Sequence, residues 1–252
     1  MKKRNRRLVK LALIQVGPAT EDKEKNLVNI LNLIDKTAKK EPDFIILPEL
    51  CTVPYFCTAQ DPKYLEWAES VSGPTIHFIA KKAKEYKSCI LVPLLRKGNR
   101  EAEYYNSVVV IGGDGKVVYG KLSGAKRTVC YDKIHLPKVE TAQISLDEKA
   151  YFKAGEGFPV FKTPKATIGI LICYDRRFTE ALRTLALKGA EIVFMCSCIP
   201  EWATSETATS GGTLAFELQT RAVENLFFVA PCNRVGRERF MEKDAFIFEE
   251  AA

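Results

Sequence analysis

The sequence at residues 167–178 is Thr167-Ile168-Gly169-Ile170-Leu171-Ile172-Cys173-Tyr174-Asp175-Arg176-Arg177-Phe178. It begins with an apolar run rich in β-branched side chains, which predicts a strand buried on both faces. A helix is predicted over residues 179–188, because apolar residues recur there at helical spacing before Gly189. Cys173 is therefore expected on a strand-to-helix turn, where free backbone N–H groups favour a thiolate and can hold an oxyanion. The alternative for such a cysteine is a small core residue.

The alternation of strands and helices extends along the chain and predicts an α/β fold. The predicted strands cover residues 8–16, 44–47, 89–95, 105–111, 117–119, 167–172, 191–196 and 226–231. The predicted helices cover residues 21–39, 63–70, 74–86, 179–188 and 212–225. The basic stretch at residues 120–130 has neither pattern and is interpreted as irregular.

The composition indicates one globular domain over residues 1–252, because 46% of the residues are hydrophobic and no Pro/Gly/Ser-rich linker divides the chain. Within it, residues 1–7 form a basic tail and residues 237–252 an atypical end. No apolar run approaches the length of a membrane span, and a strand pattern rather than a signal peptide follows the tail. We therefore expect a cytoplasmic protein with no membrane partner.

The net charge of +7 comes mainly from the N-terminus. Residues 1–10 contain six Lys and Arg and no acidic residue, so the rest of the chain is nearly neutral. A basic tail without a basic face or interleaved aromatic residues is usually a solvated end. No nucleic-acid partner is expected.

The eight cysteines contain no CxxC pair, and the only histidines are His77 and His135. Zinc-ligand spacing is therefore absent, and no metal or other cofactor is expected. Several cysteines lie within apolar strand-like runs, so reduced core thiols are favoured over disulfides.

One charged residue stands out beside Cys173. Glu49 follows the apolar strand at residues 44–47, and Pro48 keeps the preceding residue extended. Glu49 should therefore project from the carboxyl end of that strand, where open α/β sheets carry their functional groups. The alternative is an ordinary loop carboxylate.

Three segments in this order resemble the nitrilase, or carbon–nitrogen hydrolase, superfamily: Leu47-Pro48-Glu49-Leu50, Tyr131-Asp132-Lys133-Ile134-His135-Leu136-Pro137 and Leu171-Ile172-Cys173-Tyr174-Asp175-Arg176-Arg177-Phe178. Tyr105-Asn106-Ser107, Arg221-Ala222-Val223-Glu224-Asn225 and Asn233-Arg234-Val235-Gly236 also look like landmarks of this family. The resemblance covers residues 8–236 and implies a four-layer α-β-β-α sandwich.

The resemblance also implies a thiol amidohydrolase with Cys173 as nucleophile, Glu49 as base and Lys133 as cation. A free cysteine is only a few per cent thiolate at neutral pH, so it needs such a base or a positive environment. Lys133 and the backbone N–H of Tyr174 would stabilise the oxyanion. The alternative for Lys133 is an ordinary surface lysine. Glu148 resembles the second glutamate of the family, which supports the lysine and orients the substrate, and Glu140 remains a competitor.

For the substrate, residues 50–56, 104–106 and 175–178 most resemble the branch that hydrolyses N-carbamoyl amino acids, including β-ureidopropionase-like enzymes. A guanidinium fork beside the nucleophile could hold the substrate carboxylate, with Arg177 as first choice and Arg176 as second. Tyr174 and Tyr55 are further predicted substrate contacts. The alternatives are structural ion pairs for the two arginines, an aliphatic or ω-amidase or a nitrilase, and an inactive scaffold or binding member.

Two regions depart from the family pattern. Residues 120–130 look like an insertion before the lysine motif. After Gly236, the usual Gly-x-Ser strand and Pro-x-Gly turn are replaced, so a fold without its last strands is one alternative. The partners expected are a small carbamoyl, amide or nitrile substrate and further copies of the chain in a homodimer or higher homo-oligomer.

Overall fold

The structure, a computed structural model, describes residues 7–59, 61–140, 145–199, 210–238 and 247–248. For residues 210–213 and 247–248 it describes the backbone alone. Within these residues, no helix is both long enough and apolar enough to cross a bilayer.

The described strands are numbered here in chain order: β1 (Leu11–Leu13), β2 (Phe44–Ile46), β3 (Cys89–Lys97), β4 (Tyr104–Ile111), β5 (Gly120–Ser123), β6 (Lys126–Thr128), β7 (Cys130–Asp132), β8 (Lys138–Glu140), β9 (Ser145–Asp147), β10 (Val160–Lys162), β11 (Thr167–Ile172), β12 (Ile192–Ser197), β13 (Phe228–Asn233), β14 (Gly236–Arg237) and β15 (Ile247–Phe248). The described α-helices are α1 (Lys23–Ala38), α2 (Pro74–Tyr86), α3 (Thr179–Leu187) and α4 (Ser210–Asn225).

Two larger sheets contain most of these strands. The first has the order β1-β2-β3-β4-β7, with β1, β2 and β3 parallel and β4 antiparallel to both of its neighbours. The second has the order β13-β12-β11-β10-β5-β6, with β11, β12 and β13 parallel and the rest antiparallel. Two short ribbons, β8-β9 and β14-β15, complete the pairing.

The sheets pack face to face over an apolar layer to which both contribute. Phe44 of the first sheet contacts Phe194 of the second, with ring centroids 5.4 Å apart. Because both faces of the central strands are covered, these strands are apolar along their length. Their exposure to solvent is close to zero, as the apolar runs predict.

Helices cover the outer face of each sheet. On α1, the buried positions include Ile30, Ile34 and Ala38, whose spacing of four residues places them on one face. This face and α2 pack against the first sheet. Helices α3 and α4 pack against the second sheet in the same way. The predicted four-layer α-β-β-α sandwich is therefore confirmed.

Several predicted boundaries are wrong. The strand predicted over residues 8–16 is limited to β1, and the helix predicted over residues 63–70 is a 3-10 helix, Pro62–Trp67. The predicted strand at residues 117–119 makes only an isolated bridge from Val117 to Ile111. The stretch at residues 120–130 is not irregular, because it forms the hairpin β5-β6 on the edge of the second sheet and then enters β7.

The four segments that build the site all follow the carboxyl ends of strands. Glu49 lies three residues after β2, and Lys133 directly follows β7, which runs in the same direction as β2. Cys173 directly follows β11, and Cys198 directly follows the parallel strand β12. Functional side chains from both sheets are thereby directed to one end of the sandwich.

Candidate active site

Lys133 lies at the centre of the site and is fully buried. Its Nζ donates hydrogen bonds to Glu49 Oε1 at 2.8 Å and to Glu148 Oε1 at 2.7 Å. Its backbone N–H donates to the carbonyl of Asn106 at 2.8 Å, and its carbonyl accepts from the N–H of Gly155 at 2.9 Å. The ammonium has three N–H donors, and the described residues account for two of them.

Glu49 is also fully buried, and both of its carboxylate oxygens are held in place. Oε1 accepts a second hydrogen bond from Asn106 Nδ2 at 2.7 Å, and Oε2 accepts one from the backbone N–H of Cys198 at 2.9 Å. Since these donors come from both sheets, the carboxylate links the two halves of the sandwich.

Glu148 begins a 3-10 helix, Glu148–Ala150, and has no exposure to solvent. Its Oε1 accepts hydrogen bonds from Lys133 and, at 2.6 Å, from the hydroxyl of Tyr55. Its Oε2 is buried and has no hydrogen-bond partner among the described residues. The competitor, Glu140, is exposed and accepts a hydrogen bond from Ser145 Oγ at 2.9 Å. The structure thus brings Glu148 to Lys133, whereas Glu140 is exposed.

Cys173 is only half-buried, whereas the other seven cysteines are buried. It opens a 3-10 helix, Cys173–Arg177, that the sequence pattern does not predict, and the α-helix predicted over residues 179–188 follows at Thr179. Its backbone is left-handed, with φ of +45°, which costs a residue other than glycine about 1–3 kcal/mol. Such a sharp turn directly after a strand presents the thiol at the end of the sheet.

Burial raises the pKa of the Cys173 thiol to about 12, and the nearby carboxylate of Glu49 adds to this, while Lys133 and Arg176 oppose it. The thiol therefore lies within range of the charges of the buried cluster. It is protonated at neutral pH, so its reaction as a nucleophile requires a base that removes the proton.

The cluster also perturbs its own members. Burial disfavours the charged form of Lys133, but the carboxylates of Glu148 and Glu49 outweigh it and hold the Lys133 pKa well above its usual value. Burial and then the charge of Glu49 raise the pKa of Glu148 to about 7, against the opposing effect of Lys133. The ammonium is thus charged at neutral pH, while Glu148 exchanges a proton near neutrality.

We expect Glu148 to lower the free energy of unfolding as the pH rises from about 4.5 to about 7. Its carboxyl has an ordinary pKa of 4.5 and a raised pKa of about 7 in the folded chain, so the folded chain binds more protons in this window. The stabilising contribution of Glu148 is complete below pH 4.5 and is lost as the pH rises through about 7. Urea unfolding at pH 5 and pH 7.5 measures it.

Replacement of Glu148 with Gln should remove this decline, which is on the order of 2 kcal/mol. Replacement of the exposed Glu140 with Gln is the matched control and should leave the decline in place. An equal decline in the wild-type protein and in Glu148→Gln would contradict the expectation.

The four predicted substrate contacts differ in their exposure to solvent. Arg176 is buried, donates from Nη1 to the carbonyl of Cys173 at 3.1 Å and lies 3.5 Å from Glu217 Oε2 through Nε. Arg177 is about half exposed, and its Nη1 lies 3.8 Å from the same oxygen. Tyr174 is 37% exposed, whereas Tyr55 is buried with its hydroxyl on Glu148. Arg177 and Tyr174 are therefore the more accessible of the four.

The sequence reasoning missed Asp175 as a structural link. Its fully buried carboxylate accepts hydrogen bonds from the N–H of Ile172 at 3.0 Å, the hydroxyl of Tyr131 at 2.6 Å and the N–H of His135 at 3.0 Å. It also contacts His135 Nδ1 at 2.8 Å. These contacts join the segment before Cys173 to both flanks of Lys133.

Asn106 and Arg234 were noted only as landmarks. Asn106 contacts Glu49 directly, and the fully buried Arg234 binds backbone carbonyls of the segment that carries Glu49. A polar residue on a mostly apolar strand, such as Asn106 on β4, was the available signal.

A protonated thiol beside a buried carboxylate and ammonium is an arrangement suited to acyl transfer through a cysteine. The model of the carbon-nitrogen hydrolase family matches residues 10–248. This chain belongs to the carbon-nitrogen hydrolase family, and it is a hydrolase that acts on carbon–nitrogen bonds other than peptide bonds.

Similar proteins include an N-carbamoylputrescine amidase of Solanum lycopersicum, which is 32% identical over 92% of this chain and 72% of its own length. A beta-ureidopropionase of Arabidopsis thaliana is also 32% identical, over 94% of this chain and 55% of its own length. Among solved structures, a carbon-nitrogen hydrolase from Helicobacter pylori G27 has a TM-score of 0.78 and 25% identity, with coverage of 94% of this chain and 79% of that one.

Proposed function

We propose that this hydrolase cleaves N-carbamoyl amino acids, such as N-carbamoyl-β-alanine or N-carbamoyl-D-amino acids, to the amino acid, carbon dioxide and ammonia. The observation that carries the proposal is the fully buried Glu49–Lys133–Glu148 cluster whose charges act on the half-buried thiol of Cys173. Burying three charged groups is costly, so their convergence beside a thiol supports a catalytic role.

In the first half of the reaction, Glu49 takes the thiol proton while Cys173 Sγ attacks the carbonyl carbon of the ureido group. The tetrahedral oxyanion accepts hydrogen bonds from Lys133 and from the backbone N–H of Tyr174, each worth roughly 3–4 kcal/mol when well placed. Glu49 then passes the proton to the terminal nitrogen. The bond from carbon to that nitrogen breaks, ammonia leaves and a carbamoyl thioester remains on Cys173.

In the second half, Glu49 takes a proton from water, and the resulting hydroxide attacks the thioester carbon. The carbon–sulfur bond breaks and Cys173 recovers its proton. The released N-carboxy amino acid loses carbon dioxide to give the free amino acid. Glu148 Oε2, which has no partner among the described residues, is available to accept a hydrogen bond from a substrate N–H.

The names of the relatives support a carbamoyl substrate over a simple amide, and the local charge supports one that ends in a carboxylate. Relatives at 32% identity are named for N-carbamoylputrescine and for ureidopropionate. Next to Cys173, Arg176 and Arg177 share one carboxylate, Glu217, which leaves a net positive charge. A positive charge close to the nucleophile favours a substrate whose far end is a carboxylate.

A panel of ammonia-release assays tests the proposal. The panel contains N-carbamoyl-β-alanine, N-carbamoyl-D-amino acids, N-carbamoylputrescine, simple and ω-amides, and nitriles. We expect the largest kcat/KM for a carbamoyl amino acid. A larger value for an amide or a nitrile would favour the alternative of an amidase or nitrilase, and no turnover of any compound would favour an inactive scaffold or binding member.

Replacement of Arg177 with Ala should raise KM for N-carbamoyl-β-alanine about 10-fold or more, because a charge-assisted pair with the substrate carboxylate is lost. The KM for a neutral alkylurea should stay the same. Arg183→Ala removes the same charge from an exposed position on α3 and serves as the matched control. Equal effects of Arg177→Ala on both substrates would contradict the role of Arg177.

Association into a homodimer or higher homo-oligomer and a cytoplasmic location remain parts of this proposal. Light scattering on the purified protein measures the first. Localisation of the tagged full-length protein in its source cells measures the second.

A further inference from the structure

Arg234 follows β13 and is fully buried beside the segment that carries Glu49. Its Nη2 donates to the carbonyls of Glu49 and Leu50, both at 2.8 Å. Its Nη1 donates to the carbonyl of Val53 at 3.0 Å. One guanidinium therefore holds three backbone carbonyls of a loop that follows β2.

Glu238 pairs with this guanidinium and is itself almost completely buried. Its Oε2 accepts a hydrogen bond from the backbone N–H of Tyr55 at 3.2 Å, and its Oε1 accepts one from that of Ala19 at 2.8 Å. The Arg234–Glu238 pair thus forms hydrogen bonds with the backbone of residues 49–55 near both ends of this loop. One end carries Glu49, and the other carries Tyr55, whose hydroxyl donates to Glu148.

The loop has a backbone that needs such support. Leu50 is fully buried and left-handed, with φ of +49°. A side chain with a Cβ disfavours this conformation, and it persists only where the surroundings impose it. In this conformation the carbonyls of Glu49 and Leu50 both reach one Nη2, so the contact with Arg234 and the strained backbone occur together.

We propose that the Arg234–Glu238 ion pair positions the Glu49 base and the Tyr55–Glu148 contact relative to Lys133. The proposal rests on the proposed function, since it assigns the pair to the catalytic base assigned there. Arg234 and Glu238 are positioning residues, because they bind the backbone of the loop and act through Glu49 and Tyr55.

Stability alone explains the pair poorly. Apolar residues of similar volume often replace a buried ion pair without loss of stability, whereas a planar guanidinium is suited to binding neighbouring acceptors in a fixed geometry. Gly17 allows the segment before Ala19 to approach the segment that carries Arg234 and Glu238, because a Cβ at residue 17 would lie 1.9 Å from the carbonyl oxygen of Val235. The close approach of these two segments brings Glu238 to Ala19.

The test compares Glu238→Gln and Arg234→Lys with Glu49→Gln and with a control, Glu69→Gln. Glu69 is 7% exposed, pairs with Lys23 and caps α2 through Thr75, so its replacement also removes one charge of a shielded ion pair. Among the described residues, Glu69 has no hydrogen bond to residues 49–55 or to the Glu49–Lys133–Glu148 cluster. Steady-state kinetics on the best substrate of the panel and thermal unfolding are measured for each variant of the full chain.

We expect Glu238→Gln and Arg234→Lys to lower kcat about 10- to 100-fold with KM within about twofold, because a shift of about 1 Å in a catalytic group is enough for such a loss. The control should lose a similar amount of thermal stability and keep its kcat. Wild-type kcat in Glu238→Gln, or an equal loss in Glu69→Gln, would overturn the positioning role while leaving Glu49 as the base. Full turnover in Glu49→Gln would overturn both the positioning role and the proposed function.

Discussion

Cys173→Ala should abolish turnover and prevent any covalent adduct from forming. Loss of a nucleophile that acts as one unit with its base costs about 10⁴-fold or more in kcat. Rapid quenching of the wild-type reaction at low pH, followed by mass measurement of the intact protein, should reveal the added mass of the group left on Cys173, which is the substrate less ammonia. In the alanine variant, the mass should stay that of the free chain.

Cys198→Ala is the matched control for this experiment. Its thiol is buried and makes only a long contact, 3.7 Å, with the backbone carbonyl of Glu49, whereas its backbone N–H donates to the Glu49 carboxylate, so the replacement keeps the hydrogen bond to the carboxylate. We expect Cys198→Ala to retain the adduct. An unchanged wild-type mass during normal turnover, or an adduct that persists in Cys173→Ala, would remove Cys173 from the role of nucleophile.

Lys133→Ala should have the largest combined effect on activity and stability. It removes an oxyanion donor, which alone costs about 10²–10³-fold in kcat. It also leaves the buried carboxylates of Glu49 and Glu148 without their shared cation, and breaking such a pair costs about 3–5 kcal/mol. Urea unfolding at pH 7.5 and ammonia release measure the two losses separately.

A double variant separates the structural role of Lys133 from its catalytic role. Adding Glu148→Gln to Lys133→Ala removes one of the two unpaired charges, so part of the lost stability should return, while turnover should stay abolished. Recovery of turnover in the double variant would show that Lys133 serves only as a counter-charge. No recovery of stability would show that Glu148 is already neutral in Lys133→Ala.

The sandwich was predictable because its central strands are covered on both faces and are apolar along their length. Residues 44–47 and 167–172 have no other stable place than the interior. The hairpin β5-β6 was not predictable, because its exposed residues are polar and its strands have only four and three residues, too few for an alternation to stand out. These residues form strands because β10 offers an unpaired edge, and strand formation depends strongly on such a neighbour.

The cluster was predicted in outline, since Glu49, Lys133, Glu148 and Cys173 follow recognisable strands or motifs. The distribution of roles between Arg176 and Arg177 was not predictable. A 3-10 helix has three residues per turn, so Arg176 lies one turn after Cys173 and can fold back onto its carbonyl.

The support of Glu49 by Arg234 could not be inferred from sequence either. The two residues are 185 positions apart, and the acceptors are backbone carbonyls, which every residue possesses. A buried arginine after a strand indicates only that acceptors exist somewhere, and the folded chain is needed to identify them.

Because the residues of the site come from two separate sheets, we expect turnover to depend on how the two sheets pack against each other. Glu49 and Lys133 extend from the first sheet and Cys173 from the second, and Phe44 and Phe194 pack in the apolar layer between the sheets. A small lateral displacement of one sheet relative to the other would increase the distance between Cys173 Sγ and Lys133 Nζ. The hydrogen bonds within each sheet would stay intact. Heat or denaturant that weakens the packing between the sheets should therefore abolish turnover while the strands of each sheet are still paired.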